Sequence, residues 1–236
     1  AKSIHKINEK KLVLSGSPFF DRVFTGRDNH ANNSKSNNAL GSVFPNQNPY
    51  IVYLGSSANI AKNESDVVDK VVNEAFRHGF NVLIRPHPAN TKPFAKFADT
   101  ERLIVNPRDG SLPENLEDQG NLNRMLGGAA LAIGLNTSAQ IDAIALGVPT
   151  AIFEEPKYAR TQKQAVHFRA LRASNACYLV SGQSSLAEIL LMLKAQEDPK
   201  RDVREKFVKD FLCPVAERGG AGLFVSTKIY KAVYSD

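Results

Sequence analysis

The sequence predicts an α/β fold: a Rossmann-like parallel sheet of about six strands with helices on both faces. Three observations carry that prediction. Short apolar runs of strand length recur along the chain, at 51–54, 81–85, 129–134, 150–153 and 177–180. Between them lie segments whose apolar residues repeat with helical period, which is the signature of βαβ units. Several predicted strands end in small, hydroxyl, basic or acidic residues rather than in ordinary turns.

The elements follow in order. Lys11-Leu-Val-Leu-Ser-Gly-Ser-Pro18 reads as a short buried strand running into a turn. From Gly26 to Pro49 the chain is rich in Asn, Ser and Gly, a composition that buries too little surface to offset the entropy of ordering it. Composition therefore divides the chain into a segment 1–24, a flexible linker over 25–49 and a domain over 50–236. Ile51–Leu54 is a strand that ends at Gly55-Ser56-Ser57. Ser65 is expected to cap a helix carrying Val67, Val68, Val71, Val72, Ala75 and Phe76 on one face, stopped by Gly79. Asn81–Arg85 is a strand closed by Pro86, Arg102–Val105 another, and a helix covers about Glu117–Leu126.

Ala129–Gly134 is the next strand, and Thr137-Ser-Ala-Gln140 is a capping-box pattern opening a helix to about Leu146. Thr150–Phe153 is a strand, followed by a helix over Thr161–Ala173 and a strand over Cys177–Val180. Ser185 and Glu188 suggest a second capping box, and helices near Val203–Phe211 and Gly222–Tyr234 finish the chain.

Composition narrows the function classes. The 236 residues are 42% apolar and 23% charged, as in ordinary soluble domains, so a core can form. There is no Trp, and the net charge of +6 is modest and comes without a recognisable nucleic-acid-binding module, so no nucleic-acid partner is predicted. The basic surplus lies between Lys157 and Lys231, which suits a phosphorylated small molecule or an anionic membrane surface. Two cysteines, Cys177 and Cys213, are too few for a disulfide framework and point to a reducing, cytoplasmic location, with peripheral membrane association open. The apolar runs 129–135 and 189–193 are too short to span a bilayer. The chain opens at Ala1 without a methionine and is read as a piece of a longer protein.

In parallel sheets ligands bind outside the carboxyl ends of the strands, so the candidate site is sought there. Arg85-Pro86-His87-Pro88 is the most informative strand end. Both prolines force the residue before them towards extended geometry, which presents a guanidinium and an imidazole on a stiff segment, suited to an anionic oxygen. Gly134-Leu-Asn136-Thr137-Ser138 delivers a strand to a helix amino terminus, where free N–H groups attract phosphate. Gly55, Ser56 and Ser57 form a third small-residue turn. Glu154 and Glu155 could accept ribose hydroxyls, or could be ordinary surface acids. No dinucleotide fingerprint, P-loop or nucleophile elbow is present, and His5, His30, His78, His87 and His167 have no zinc-like spacing. His167 is expected to be a core or surface histidine. No Asp-x-Asp metal motif occurs, so neither a metal nor a cofactor is predicted.

A strand ending Arg85-Pro-His-Pro88, followed by Gly134-x-Asn-Thr-Ser138 and Asp142-x-x-x-x-Gly147-Val-Pro149, resembles the C-terminal donor-binding domain of GT-B glycosyltransferases. The resemblance is nearest to bacterial surface-polysaccharide enzymes: CDP-glycerol glycerophosphotransferases, capsule Kdo transferases and bacterial sialyltransferases. Ser15-Gly-Ser-Pro-Phe-Phe-Asp21 looks like the Gly-x-Pro-x-x-Asp stretch where the two lobes of that fold cross. The resemblance implies a CMP-, CDP- or UDP-linked sugar as substrate, with His87 on the donor phosphate and Thr137 and Ser138 holding it at the helix terminus. It also implies that catalysis requires an amino-terminal lobe outside this chain. UDP-sugar 2-epimerases also carry an His-Pro element and are the second reading, although their Ser-Gly-Gly and Arg-x-Thr-Glu-Arg stretches are not found. A non-catalytic nucleotide-binding or interaction module is the third.

Overall fold

The computed structural model describes residues 8, 12–21, 23, 43–164, 166–215 and 219–234, with the backbone alone for 164, 166 and 167. Six strands form one sheet: β1 (Tyr50–Leu54), β2 (Asn81–Arg85), β3 (Leu103–Val105), β4 (Leu131–Gly134), β5 (Thr150–Phe153) and β6 (Tyr178–Val180). Their order is β3-β2-β1-β4-β5-β6 and every pairing is parallel. This is the doubly wound Rossmann order, in which the connections reverse direction between β1 and β4.

The helices are α1 (Ser65–Arg77), α2 (Leu116–Gly127), α3 (Ala139–Ala145), α4 (Ala159–Gln164), α5 (Val166–Ala173), α6 (Gln183–Lys194), α7 (Arg201–Phe207) and α8 (Ala221–Tyr234). Strand residues alternate between the two faces of the sheet. Ile51, Tyr53, Val82, Ile84, Leu131 and Ile133 pack with Val67, Val68 and Val71 of α1 and with Leu186 and Leu190 of α6. Val52, Leu54, Leu83 and Ala132 pack with Leu126 of α2 and Ala143 of α3. Burial on both faces explains why the strands read as continuous apolar runs.

Contacts divide the chain into two compact units, 1–32 with 206–236, and 33–205. The sheet and every candidate site residue belong to the second. Within the first, the Asp21 carboxylate accepts the N–H groups of Ala221 (2.8 Å) and Gly222 (2.7 Å), so it closes the amino terminus of α8.

Several expectations are corrected. Leu12–Ser17 forms no strand, and Leu12, Val13 and Leu14 are exposed. Their apolar character suggested a buried strand, but a strand exists only where a neighbour pairs with it, and none does so among the described residues. Most of the expected linker, 25–42, lies outside the described residues. Its end is ordered: Phe44 is fully buried against Tyr50 in the second cluster. The cap position of α1 is Glu64 rather than Ser65, whose hydroxyl donates instead to Asn63 Oδ1 at 2.9 Å. In α6 the cap position is Gly182. Ser185 Oγ turns back to accept the N–H groups of Ser181 and Gly182, and Glu188 takes no part.

Gly134 has a steric reason to be glycine, because a Cβ there would stand 2.5 Å from the Leu54 carbonyl oxygen. Gly134→Ala is therefore expected to force β1 and β4 apart and to destabilise the fold by roughly 1–3 kcal/mol, read as a lower Tm in thermal unfolding.

Candidate functional site

The connections reverse between β1 and β4, which stay paired to their ends at Leu54 and Gly134, and the loops that leave them meet at this switch point, where parallel sheets bind ligands in a crevice. Two loops form it. On the β1 side, Gly55 N–H donates to the Arg85 carbonyl at 2.9 Å, which ties the loop to the end of β2. A Cβ on Gly55 would stand 2.9 Å from His87 N and 2.8 Å from Phe94, so only glycine permits this packing. On the β4 side, Asn136 N–H faces Ser56 Oγ at 3.4 Å, a long hydrogen bond that spans the crevice.

Four buried polar side chains hold these loops. Glu64 accepts the Ser56 N–H at 2.7 Å. Asn90 Nδ2 donates to the carbonyls of Ser56 (3.0 Å) and Ala61 (2.9 Å). Gln140 Nε2 donates to the Gly134 and Ala151 carbonyls at 3.3 and 2.9 Å, while its Oε1 accepts the Thr137 N–H at 3.2 Å. Gln162 Nε2 donates to the Leu135 and Phe153 carbonyls at 3.1 and 2.7 Å, while its Oε1 accepts the Glu155 N–H at 3.3 Å. Asn136 Nδ2 adds a bond to the Gln162 carbonyl at 3.2 Å. The loop backbones are thus fixed by side chains, leaving other N–H groups open. Among the described residues, the N–H groups of Ser57, Ser138 and Ala139 meet no acceptor. All three lie in the loops that leave β1 and β4, and N–H groups left open in such loops are suited to bind an anion.

The capping box expected at Thr137 is half present. Gln140 reaches back to the Thr137 N–H, but no side chain caps α3, whose cap position is Ser138. Thr137 is buried and Ser138 exposed. At seven residues α3 carries a modest dipole, so the open N–H groups matter more than the dipole does.

Arg85 and His87 divide their surroundings. The Arg85 side chain lines a cavity of about 310 Å³ with Asn106, Ser111, Glu114, Asn121 and Met125, between the ends of β2 and β3 and α2. His87 is not in that wall. The chain turns directly after it, with Asn90 N–H donating to the His87 carbonyl at 2.8 Å, so the extended run ends there. His87 Nδ1 accepts the Ala89 N–H at 3.1 Å, which places the ring proton on Nε2, and burial pulls its pKa below the usual 6.5. At neutral pH His87 is therefore a neutral donor through Nε2.

Asp142 on α3, notable in the sequence only as part of the Asp142-x-x-x-x-Gly147 pattern, carries the carboxyl whose field reaches Arg85. Burial pushes it up to about 6, and the Arg85 guanidinium draws it back down. Glu154 and Glu155, expected either to accept ribose hydroxyls or to be ordinary surface acids, are engaged with cations: Glu154 with Arg172 at 2.6 Å and Glu155 with Lys70 at 2.8 Å. The His167 side chain lies outside the described residues.

No family model matches this chain, and no curated protein matches it. Solved structures do. A putative UDP-N-acetylglucosamine 2-epimerase from Listeria monocytogenes matches 98% of this chain and 55% of its own, with a TM-score of 0.60 at 14% identity. The wall teichoic acid polymerase TagF matches with the same coverages, a TM-score of 0.56 and 17% identity. The UDP-GlcNAc 2-epimerase of Methanocaldococcus jannaschii matches 86% of this chain and 55% of its own, with a TM-score of 0.54 and 14% identity. These likenesses are to GT-B proteins and show a Rossmann-like fold of that type. The chain spans about half the length of the solved chains it matches.

Proposed function

We propose that this chain is the nucleotide-sugar (donor) binding domain of a GT-B glycosyltransferase or glycerophosphotransferase acting in surface-polysaccharide synthesis. One observation carries the reading: the open N–H groups of Ser57, Ser138 and Ala139 in the two loops that leave β1 and β4, with Arg85 at the end of the neighbouring β2 lining a cavity. The donor phosphates sit in the crevice on those N–H groups, and His87 Nε2–H and the Ser138 hydroxyl complete their shell. The pyrimidine base enters the Arg85 cavity, whose volume is at the lower end of the range for ligand pockets, about 300–1,000 Å³. The ribose hydroxyls donate to Asp142, which replaces Glu154 and Glu155 in that role because both of those are already paired. Charge on the phosphates is met by Arg85 and by oriented N–H groups. Transfer itself is left to a second lobe, so the chain alone binds donor without turnover. No described helix is long and apolar enough to cross a membrane.

Calorimetric titration with CMP, CDP and UDP tests the reading, and tight binding of one of them is the expected result. Arg85→Ala and His87→Ala should each weaken it by about tenfold or more, since a hydrogen bond to a charged group is worth roughly 1.5–3 kcal/mol. Unchanged affinity in both variants, or no binding by the wild type, would overturn it.

A second reading has specific support, because the Listeria epimerase matches at a TM-score of 0.60, against 0.56 for the polymerase. It holds if the chain converts UDP-GlcNAc at C2. Proton NMR of the anomeric region during incubation distinguishes the two: a new UDP-sugar signal supports the epimerase, and an unchanged spectrum with saturable binding supports the transferase domain.

A further inference from the structure

Glu64 is wholly buried and stands at the cap position of α1, yet its side chain makes no capping bond. It reaches back instead to the loop after β1. One oxygen accepts the Ser56 N–H at 2.7 Å and the other accepts the Tyr53 hydroxyl at 2.8 Å. Tyr53 and Ser56 are themselves fully buried, and Ser56 Oγ is the group that meets Asn136 N–H across the crevice. A buried acid is thus connected through a single residue to both loops of the candidate anion site. An α-helix cap does not require an acid in this position, and a neutral amide would fill the same space.

We propose that Glu64 is a positioning residue for the donor phosphates: it shapes the Gly55–Ser57 loop, and it takes up a proton when the anion binds. This inference rests on the nucleotide-binding reading above. An ionised Glu64 directly behind the crevice repels phosphate, whereas the protonated acid still accepts the Ser56 N–H while its own proton turns to Tyr53 Oη. The proton comes from solvent and no covalent bond changes.

The electrostatic surroundings fit a group that titrates in the working range. Burial raises Glu64 to about 7, against the opposing pull of its Ser56 and Tyr53 bonds. Burial and then the Glu64 carboxylate push Tyr53 well above its usual range, so Tyr53 remains protonated. The other acid and phenol whose fields reach Tyr53 are Tyr158, in the turn Pro156–Tyr158, and Asp66, in the first turn of α1. Asp66 is neutralised by Lys157, and Lys70 on α1 is engaged with Glu155. The segment 87–90 contributes neutral Asn90 and His87.

A phosphate that moves the Glu64 titration up by one pH unit makes the nucleotide bind about tenfold more tightly at pH 6 than at pH 9. The test is calorimetric titration of UDP and CDP into the wild type and Glu64→Gln between pH 6 and 9, in buffers of different ionisation enthalpy. The wild type should take up protons on binding at pH 7.5, where His87, Asp142 and the terminal phosphate (which loses its last proton near pH 6) contribute little. Glu64→Gln should retain the tight affinity at pH 9 and show no uptake at pH 7.5. Wild-type binding without proton uptake, or with the same uptake in Glu64→Gln, overturns the proposal and leaves the functional reading intact. Glu64→Gln binding more weakly than the wild type at every pH also overturns it. No nucleotide binding by the wild type at any pH overturns both.

Discussion

Gln162→Leu is expected to destabilise the protein by about 4 kcal/mol and to abolish measurable nucleotide binding. The side chain is nearly fully buried and serves three backbone groups at once: the Leu135 and Phe153 carbonyls and the Glu155 N–H. Leucine keeps the volume but leaves all three without a partner, and each unsatisfied buried group costs about 1–3 kcal/mol. Some will relax towards water, which holds the total below the simple sum. That relaxation is the functional damage, because Leu135 leads directly into Asn136 and the crevice. Chemical denaturation gives the stability loss, and calorimetry with UDP or CDP gives the binding loss. A variant that loses stability yet keeps wild-type affinity at low temperature would show that Gln162 supports the sheet edge but not the crevice. Gln140→Leu, which touches the Gly134 and Ala151 carbonyls and the Thr137 N–H, should behave alike for the same reason.

These glutamines also mark where sequence reasoning stops. The strands were legible because a parallel strand covered on both faces is an uninterrupted apolar run, as in Tyr50–Leu54 and Asn81–Arg85. Their order was not, since pairing is a long-range choice that no local pattern encodes. The strand-end turns at Gly55, Arg85 and Gly134 stood out by residue type, and the parallel sheet brings all three to one edge. Glu154 and Glu155 stood out equally, and only the fold shows Arg172 and Lys70 beside them. Glu64, Asn90 and Gln162 gave no signal, being single polar residues in polar surroundings. Asp142 carried one that could have been used: an acid in the first turn of the helix after β4 points back towards the strand ends. Gln140 was found as part of a capping box, but its two further bonds depend on β5 lying beside β4. A polar side chain serving backbone from two strands can be recognised only once those strands are paired.

The stability of the wild type is expected to fall by about 3 kcal/mol between pH 4.5 and pH 7 through Glu64 alone, relative to Glu64→Gln. The direction follows from the burial of its carboxyl, which raises its pKa from the ordinary 4.5 to about 7 in the folded protein. Between those values the folded state holds a proton that the unfolded state has released, so raising the pH favours unfolding. The contribution is fully present below pH 4.5, is lost as pH climbs to 7, and changes little beyond. Each pH unit of separation corresponds to about 1.36 kcal/mol, which sets the size of the loss. Asp142, raised to about 6, adds a smaller loss in the same direction, while Asp66 and Asp198, held below the usual carboxylate range, act in the opposite one. All three are common to both proteins and cancel in the difference. Glutamine places an acceptor on Ser56 N–H and a donor on Tyr53, so the variant should fold and its stability should lack this one component. Urea unfolding of both proteins at half-unit intervals from pH 5 to pH 8 reads the difference. A curve that converges or crosses in favour of Glu64→Gln as pH rises is the expected result. Parallel curves would mean that Glu64 is ionised throughout, held so by its two donors, and would remove the proton that the phosphate site is proposed to use.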